Sequence, residues 1–218
     1  MPVFTATARR LGIVSAVGTV FLSAAYALTL VAGLLTLPTQ RQPIGDPLFA
    51  ILEVLIILVM PPMVTMMVAV HAWADAGAKV FSLTALVFMS VLAGLTCTVH
   101  FVLLTVGRQA AFAGLASMPL LLSFTWPSVT YALDILAWDV FFALSILFAA
   151  PVFSGSRLAA TIRALMLAGG ILALAGLSAV IVGDMRLRFI GIAGYAGVFP
   201  VAALLLAILF YRSTPQES

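Results

Sequence analysis

Four side chains that can exchange protons lie inside stretches that are otherwise almost wholly apolar: Glu53, His100, Asp134 and Asp139. Ionisable groups inside a membrane cost on the order of 2.5–3.5 kcal/mol each, so they normally face a cavity or one another. A carboxyl and an imidazole in one apolar cavity can supply the acid and the base of a proton-transfer reaction. We therefore predict that these four residues are catalytic and that Glu53 and His100 are neighbours.

The two aspartates are predicted to play different parts. Five residues of regular helix separate their side chains by about 140°, so Asp134 and Asp139 need not share a partner. Asp139 lies deeper in its apolar stretch, where burial favours the protonated form, and we expect it to donate a proton. Asp134 lies nearer the interface, where water or an arginine such as Arg108, Arg186 or Arg188 can satisfy it.

Aromatic residues beside these acids are candidates for binding a substrate. Tyr131, Asp134 and Trp138 are spaced to share one face of a helix. Trp126 and Tyr131 also fit the belt of aromatic residues that marks a membrane interface. The predicted substrate-binding set is Tyr131, Trp138, Trp126, Tyr195 and Asp184.

Neither a metal nor a cofactor is expected. The two histidines, His71 and His100, are predicted to lie at opposite faces of the membrane, which argues against a bis-histidine haem or a histidine zinc motif. A single cysteine, Cys97, excludes an internal disulfide and a cysteine-based zinc site. The sequence also contains no phosphate-binding glycine motif and no nucleophilic serine elbow.

The composition identifies the environment in which these residues must work. Apolar residues make up 64% of the 218-residue chain and charged residues only 8%, with a mean hydropathy of +1.27. Soluble domains carry about 25% charged residues, so the chain is neither soluble nor disordered, nor a disulfide-rich secreted module. We expect the lipid bilayer as partner and no nucleic acid, because the net charge of +3 comes from arginines that flank the apolar stretches.

A membrane span needs about 20 apolar residues. Six stretches qualify, which predicts an all-α, polytopic transmembrane six-helix bundle formed by one domain over residues 1–218. The predicted spans are 11–37, 48–73, 81–106, 130–153, 161–182 and 189–211. In the hairpin of the last two, glycine faces are expected to pack, with Gly169, Gly170 and Gly176 against Gly191, Gly194 and Gly197.

Residues 109–128 lack charge but are interrupted by Pro119 and Pro127. With six spans and a cytoplasmic N-terminus, six Lys and Arg residues lie inside and four outside, whereas a seventh span makes the count five against five. The positive-inside rule therefore favours six spans, both termini in the cytoplasm and an inner-membrane location. It leaves residues 109–128 as an interfacial or re-entrant segment.

Two short sequences give the chain a family likeness. Leu52-Glu53-Val54 places an acid early in span 2, and the last hairpin reads Gly183-Asp184-Met185-Arg186 through Gly191-Ile192-Ala193-Gly194-Tyr195. In this layout the chain resembles a group of uncharacterised bacterial six-span membrane proteins. The resemblance implies a six-span fold in a bacterial membrane, and it implies no activity.

Three functions fit these features. The first is a membrane-embedded enzyme that performs acid–base chemistry on a small lipophilic substrate. The second is a transporter or substrate-binding membrane subunit for a small molecule, and the third is an accessory subunit of a membrane complex, in which the polar groups only hold helices together. The enzyme is favoured because the sequence shows neither inverted repeats nor a matched pair of broken helices, which are typical of secondary transporters.

Overall fold

The computed structural model describes residues 4–37, 44–109, 111 and 114–215. Within these residues, six helices are long and apolar enough to cross a membrane, which confirms the predicted six-helix bundle. The helices are Ala6–Leu35 (α1), Leu48–Trp73 (α2), Ala76–Arg108 (α3), Val129–Val152 (α4), Arg157–Val182 (α5) and Met185–Arg212 (α6).

The helices form a closed ring. Each packs on the next helix in the sequence, and α6 packs back against α1. Because neighbouring helices alternate in direction, the starts of α2, α4 and α6 meet the ends of α1, α3 and α5 at one face of the bundle. We call this the site face, since the polar groups described below lie near it.

The opposite face holds the two ends of the chain together. Arg9 on α1 donates hydrogen bonds to the carbonyls of Phe210, at 3.0 Å, and of Tyr211. The indole Nε1 of Trp73 donates to the hydroxyl of Ser213 at 3.0 Å. The two Arg9 bonds give carbonyls in the last turn of α6 a side-chain donor, and they place the start of α1 beside the end of α6.

Short polar motifs set the helix ends on the site face. The Ser128 hydroxyl accepts a hydrogen bond from the Tyr131 amide at 3.1 Å and caps the start of α4. Gly183, with φ of 80°, ends α5 in the left-handed region that favours glycine. The next residue, Asp184, accepts from the Arg186 amide at 3.0 Å and begins α6. The α5–α6 connection is therefore short, and the two helices form a tight hairpin.

Glycines allow this hairpin to close, although the predicted glycine faces are partly wrong. A methyl group placed on Gly194 would lie 2.5 Å from the Gly169 carbonyl oxygen, and one on Gly176 would lie 3.0 Å from the Cα of Gly191. Gly170, however, faces Leu147 on α4, because adjacent helical residues point about 100° apart. Gly197 has no neighbouring atom within 4 Å of its Cβ position and makes no hairpin contact there.

The connection between α3 and α4 adds no seventh spanning helix in the described part of the chain. Residues 114–128 contain one helical turn, Met118–Leu121, and are otherwise irregular. The hydroxyls of Ser128 and Thr130 both donate to the Ser123 carbonyl, at 2.5 and 2.8 Å. These bonds fix the segment to the start of α4 and bring its side chains over the site face.

Candidate acid–base site

Five buried ionisable side chains form one continuous series of contacts. Oε2 of Glu53 lies 2.8 Å from Nδ1 of His100, and Nε2 of His100 lies 3.5 Å from Oδ1 of Asp134. The other oxygen of Asp134 accepts a hydrogen bond of 2.5 Å from Nη2 of Arg188. Nε of Arg188 lies 3.5 Å from Oδ2 of Asp139. We call these five residues the acid–base network; its first contact confirms the predicted Glu53–His100 neighbours.

The alternating directions of the helices explain why these distant residues meet. Glu53 lies in the second turn of α2 and Arg188 in the first turn of α6, so both are close to the site face. His100 lies two turns before the end of α3, and Asp134 lies in the second turn of α4. At about 1.5 Å per residue, these positions share one depth.

Asp139 joins the same network because α4 is not a regular α-helix. Residues Leu136–Phe142 are π-helical, with hydrogen bonds that span five residues instead of four. A turn of this kind brings residues five apart toward one face. The predicted separation of about 140° between Asp134 and Asp139 is therefore wrong, and both aspartates approach the same guanidinium, that of Arg188.

The expectation that Asp134 lies at a wet interface is also wrong. Asp134 is 4% exposed, and its arginine partner, Arg188, is likewise 4% exposed. Span 6 begins at Met185 and not at residue 189, which places Arg188 inside the helix bundle. From the sequence, Arg188 was counted as a charge that flanks the span because it adjoins a loop. In the structure it is buried and pairs with the carboxylates of Asp134 and Asp139.

The carboxyl of Asp139 is the least satisfied group in the network. Its side chain is fully buried, and neither oxygen takes part in a hydrogen bond with the described residues. Three other buried polar atoms share this property, namely Thr96 Oγ1, His100 Nε2 and Arg188 Nε. A buried carboxylate without hydrogen bonds is strongly disfavoured, so this geometry suits a carboxyl that carries a proton.

Thr96 was not among the predicted site residues, although its spacing places it on the same helix face as His100. Most threonines of the spanning helices donate to the carbonyl four residues earlier, as Thr98 does to Gly94 at 2.8 Å. Thr96 is completely buried and makes no such bond. It lies one turn deeper than His100 on the same face of α3, in the direction from Asp134 toward Asp139.

Aromatic rings cover the network at the site face. The ring of Phe124, from the α3–α4 connection, lies 5.5 Å from the His100 ring and 5.2 Å from the Tyr131 ring. The Arg188 guanidinium lies over the face of the Tyr131 ring, 4.6 Å from the ring centre. Tyr131 is thus brought to the network, as expected, whereas no sequence signal marked Phe124.

A second aromatic group lies beside Asp139. Trp138, which is buried, packs 4.9 Å from Tyr195, and Phe142 lies 6.0 Å from Tyr195. Tyr195 belongs to the second π-helical stretch, Ala193–Val198 in α6. The predicted residues Trp138 and Tyr195 are therefore brought together, and they connect the two π-helical segments.

Two of the predicted substrate-binding residues lie outside the network. The Asp184 carboxylate pairs with Arg186 at 2.8 Å on the surface of the α5–α6 connection, and this hydrogen-bonded pair lowers the pKa of Asp184. Trp126 is 41% exposed, as expected of a residue in an interfacial belt. Both positions were inferred from depth alone, which does not specify the direction in which a side chain points.

An apolar groove of about 360 Å³ lies between α3, α4 and the segment that connects them. It is bounded by the last turns of α3, by Leu121 and Leu122, and by the first turn of α4. Val99 and Leu133, which line it, are the chain neighbours of His100 and Asp134.

The described residues contain no group of three His, Cys, Asp or Glu side chains arranged to hold a metal ion. Comparison with known protein families, with curated proteins and with solved structures gave no match.

Proposed function

We propose that this chain is a membrane-embedded enzyme that performs acid–base chemistry on a small lipophilic substrate. In this proposal Asp139 donates the proton, and the Glu53 carboxylate of the Glu53–His100 pair accepts one. The observation that supports the proposal best is the Asp139 carboxyl, which is fully buried and has no hydrogen bond to either oxygen within the described residues.

The charge balance of the network supports a proton on Asp139. Both ring nitrogens of His100 face carboxylate oxygens, at 2.8 and 3.5 Å, an arrangement that suits a protonated imidazole. Protonated His100 and Arg188 then balance Glu53 and Asp134, which leaves Asp139 as the third acid. A proton on Asp139 makes the buried network neutral, and membrane interiors strongly favour neutrality.

The acid and base ends of the network lie at different positions. A proton lost from a substrate to Glu53–His100 and a proton gained from Asp139 leave the total charge of the network unchanged. Arg188 lies 3.5 Å from Asp139 and can stabilise the carboxylate that remains after donation. This separation of acid and base is what a proton-shifting reaction requires.

A lipophilic substrate fits the surroundings. The network lies inside the bundle near one face, beneath the rings of Phe124 and Tyr131, and next to an apolar groove. The bilayer is the proposed source of the substrate, and Trp138 and Tyr195 are the proposed contacts for it.

A variant that cannot donate the proton, Asp139→Asn, tests the proposal without knowledge of the substrate. We expect Asp139→Asn to fold and to retain a lipophilic compound that the wild-type protein converts and releases. Mass spectrometry of organic extracts from the two purified proteins measures the difference, with Asp184→Asn as the matched surface control. Identical extracts from wild type and Asp139→Asn would contradict an enzymatic role for Asp139.

Proton-coupled transport is a second candidate, and one observation favours it. Both helices that surround Asp139 are interrupted by π-helical segments, Leu136–Phe142 and Ala193–Val198. Such segments occur often at functional sites, and interrupted helices line the binding sites of many transporters. A pH-sensitive dye inside proteoliposomes distinguishes the two functions, because only a transporter carries protons across the bilayer together with its solute.

The proposed location is the inner membrane of a bacterium, with both termini in the cytoplasm. The distribution of Lys and Arg residues supports this orientation. The site face then lies in the outer half of the membrane.

A further inference from the structure

Two glycines approach the Asp139 carboxyl more closely than any other residue type would permit. A methyl group placed on Gly191 would lie 2.8 Å from Oδ1 of Asp139, and one on Gly176 would lie 3.2 Å from it. The Gly191 methyl would also lie 3.2 Å from the Cα of Gly176. The two glycines thus form a floor for the carboxyl at the point where α5 crosses α6, and we call this pair the glycine floor.

We infer that Gly191 and Gly176 are positioning residues that hold the Asp139 carboxyl in place without giving it a hydrogen-bond donor. This inference rests on the proposed role of Asp139 as the proton donor. A Cα–H group makes only a weak contact with an oxygen atom, much weaker than an N–H donor makes. The floor therefore fixes where Oδ1 lies and still leaves the carboxyl free to hold and release a proton.

The surroundings of Asp139 explain why its position matters. Arg188 and Tyr195 face Asp139 from α6. Asp134 lies on the same helix as Asp139, and His100 on α3 contacts Asp134. α5 contributes Gly176 at the crossing. Oδ2 of Asp139 pairs with Nε of Arg188 at 3.5 Å, a charge contact that is not closed into a hydrogen bond. A side chain at position 191 would displace Oδ1 and change the distance to this cation, and with it the proton affinity of the carboxyl.

Other glycines of the same hairpin supply controls. A methyl on Gly194 would lie 2.5 Å from the Gly169 carbonyl oxygen, so Gly194→Ala disturbs the α5–α6 packing away from Asp139. The Cβ position of Gly197 has nothing within 4 Å, so Gly197→Ala adds the same methyl group in open space. The three alanine variants separate an effect on Asp139 from an effect on packing and from the substitution itself.

Infrared titration of the protein in lipid vesicles measures the protonation of the Asp139 carboxyl directly. We expect a buried carboxylic-acid C=O band in the wild-type protein that changes with pH and is lost in Asp139→Asn. Gly191→Ala should move the midpoint of this band by about one pH unit or more, whereas Gly197→Ala should leave it unchanged. Gly194→Ala should lower the melting temperature and leave the midpoint unchanged. Gly176→Ala places its methyl group near the same oxygen and should shift the midpoint as well. This variant replaces Gly191→Ala in the test if Gly191→Ala does not fold.

The possible failures are distinct. If the Asp139 band is present and keeps its midpoint in Gly191→Ala or Gly176→Ala, the glycines only pack the helices and the inference is wrong. If Asp139→Asn removes no band, Asp139 carries no proton, which overturns the proposed function and this inference together.

Discussion

Asp134 and Asp139 lie five residues apart on α4, and their oxygens have different contacts. Asp134 is held between His100 and Arg188, whereas Asp139 approaches only Arg188 and forms no hydrogen bond with the described residues. We predict that Asp134→Asn destabilises the protein by on the order of 3 kcal/mol, because it leaves a buried guanidinium without its closest anion. Asp139→Asn should fold normally and lose activity. Thermal unfolding in detergent ranks the two variants, and equal melting temperatures would contradict the assignment.

Arg188 is the residue on which both aspartates depend. Arg188→Gln should destabilise the protein by about 3–5 kcal/mol, because two buried carboxylates lose their cation. Arg188→Lys should recover part of that loss, since lysine keeps the charge but not the forked geometry of a guanidinium. Arg186→Gln is the matched control two residues away, with a side chain that is 88% exposed and paired only with Asp184 at the surface. If Arg186→Gln lowers the free energy of unfolding as much as Arg188→Gln does, Arg188 does not have a central role.

At the scale of whole elements, the sequence was informative about helices and less informative about their internal register. Apolar runs predicted all six spans to within about five residues, and Glu53 and His100 were correctly predicted to be neighbours. The π-helical segment Leu136–Phe142 was not predictable, because hydrophobic periodicity does not record whether a hydrogen bond spans four or five residues. Arg188 was not predicted to be buried, because an arginine next to a loop is normally a residue that flanks a span. Only the positions of Asp134 and Asp139 in the fold show that it has buried partners.

The π-helical segment leads to a prediction about α4. Residues five apart in a π turn occupy nearly the same face as residues four apart in an α-helix. Deletion of Leu136, an exposed residue between the two aspartates, should therefore convert the segment to regular helix and keep both aspartates toward Arg188. Deletion of Leu147, which follows the π segment, should rotate the last five residues of α4 and the chain that follows against the rest of the helix and abolish folding. Size-exclusion chromatography and melting temperatures compare the two proteins, and loss of folding in both would show that the π turn is not a simple one-residue insertion.

At the scale of the whole molecule, the ring of six helices fixes the relation between the start of α1 and the end of α6, and the distribution of charges predicts their side of the membrane. Arg9 contacts the last turn of α6, so the start of α1 and the end of α6 lie at the same face of the bundle. Because Arg188 is buried, six Lys and Arg residues among those described flank that face and two, Arg108 and Arg186, flank the site face, a stronger asymmetry than the sequence count of six against four. We predict that a reporter fused after Ser218 is cytoplasmic and that one inserted at Gln42 is external. A cytoplasmic Gln42 with an external Ser218 would keep the fold and reverse the orientation, placing the acid–base network in the inner half of the membrane, where a substrate would reach it from the cytoplasmic leaflet.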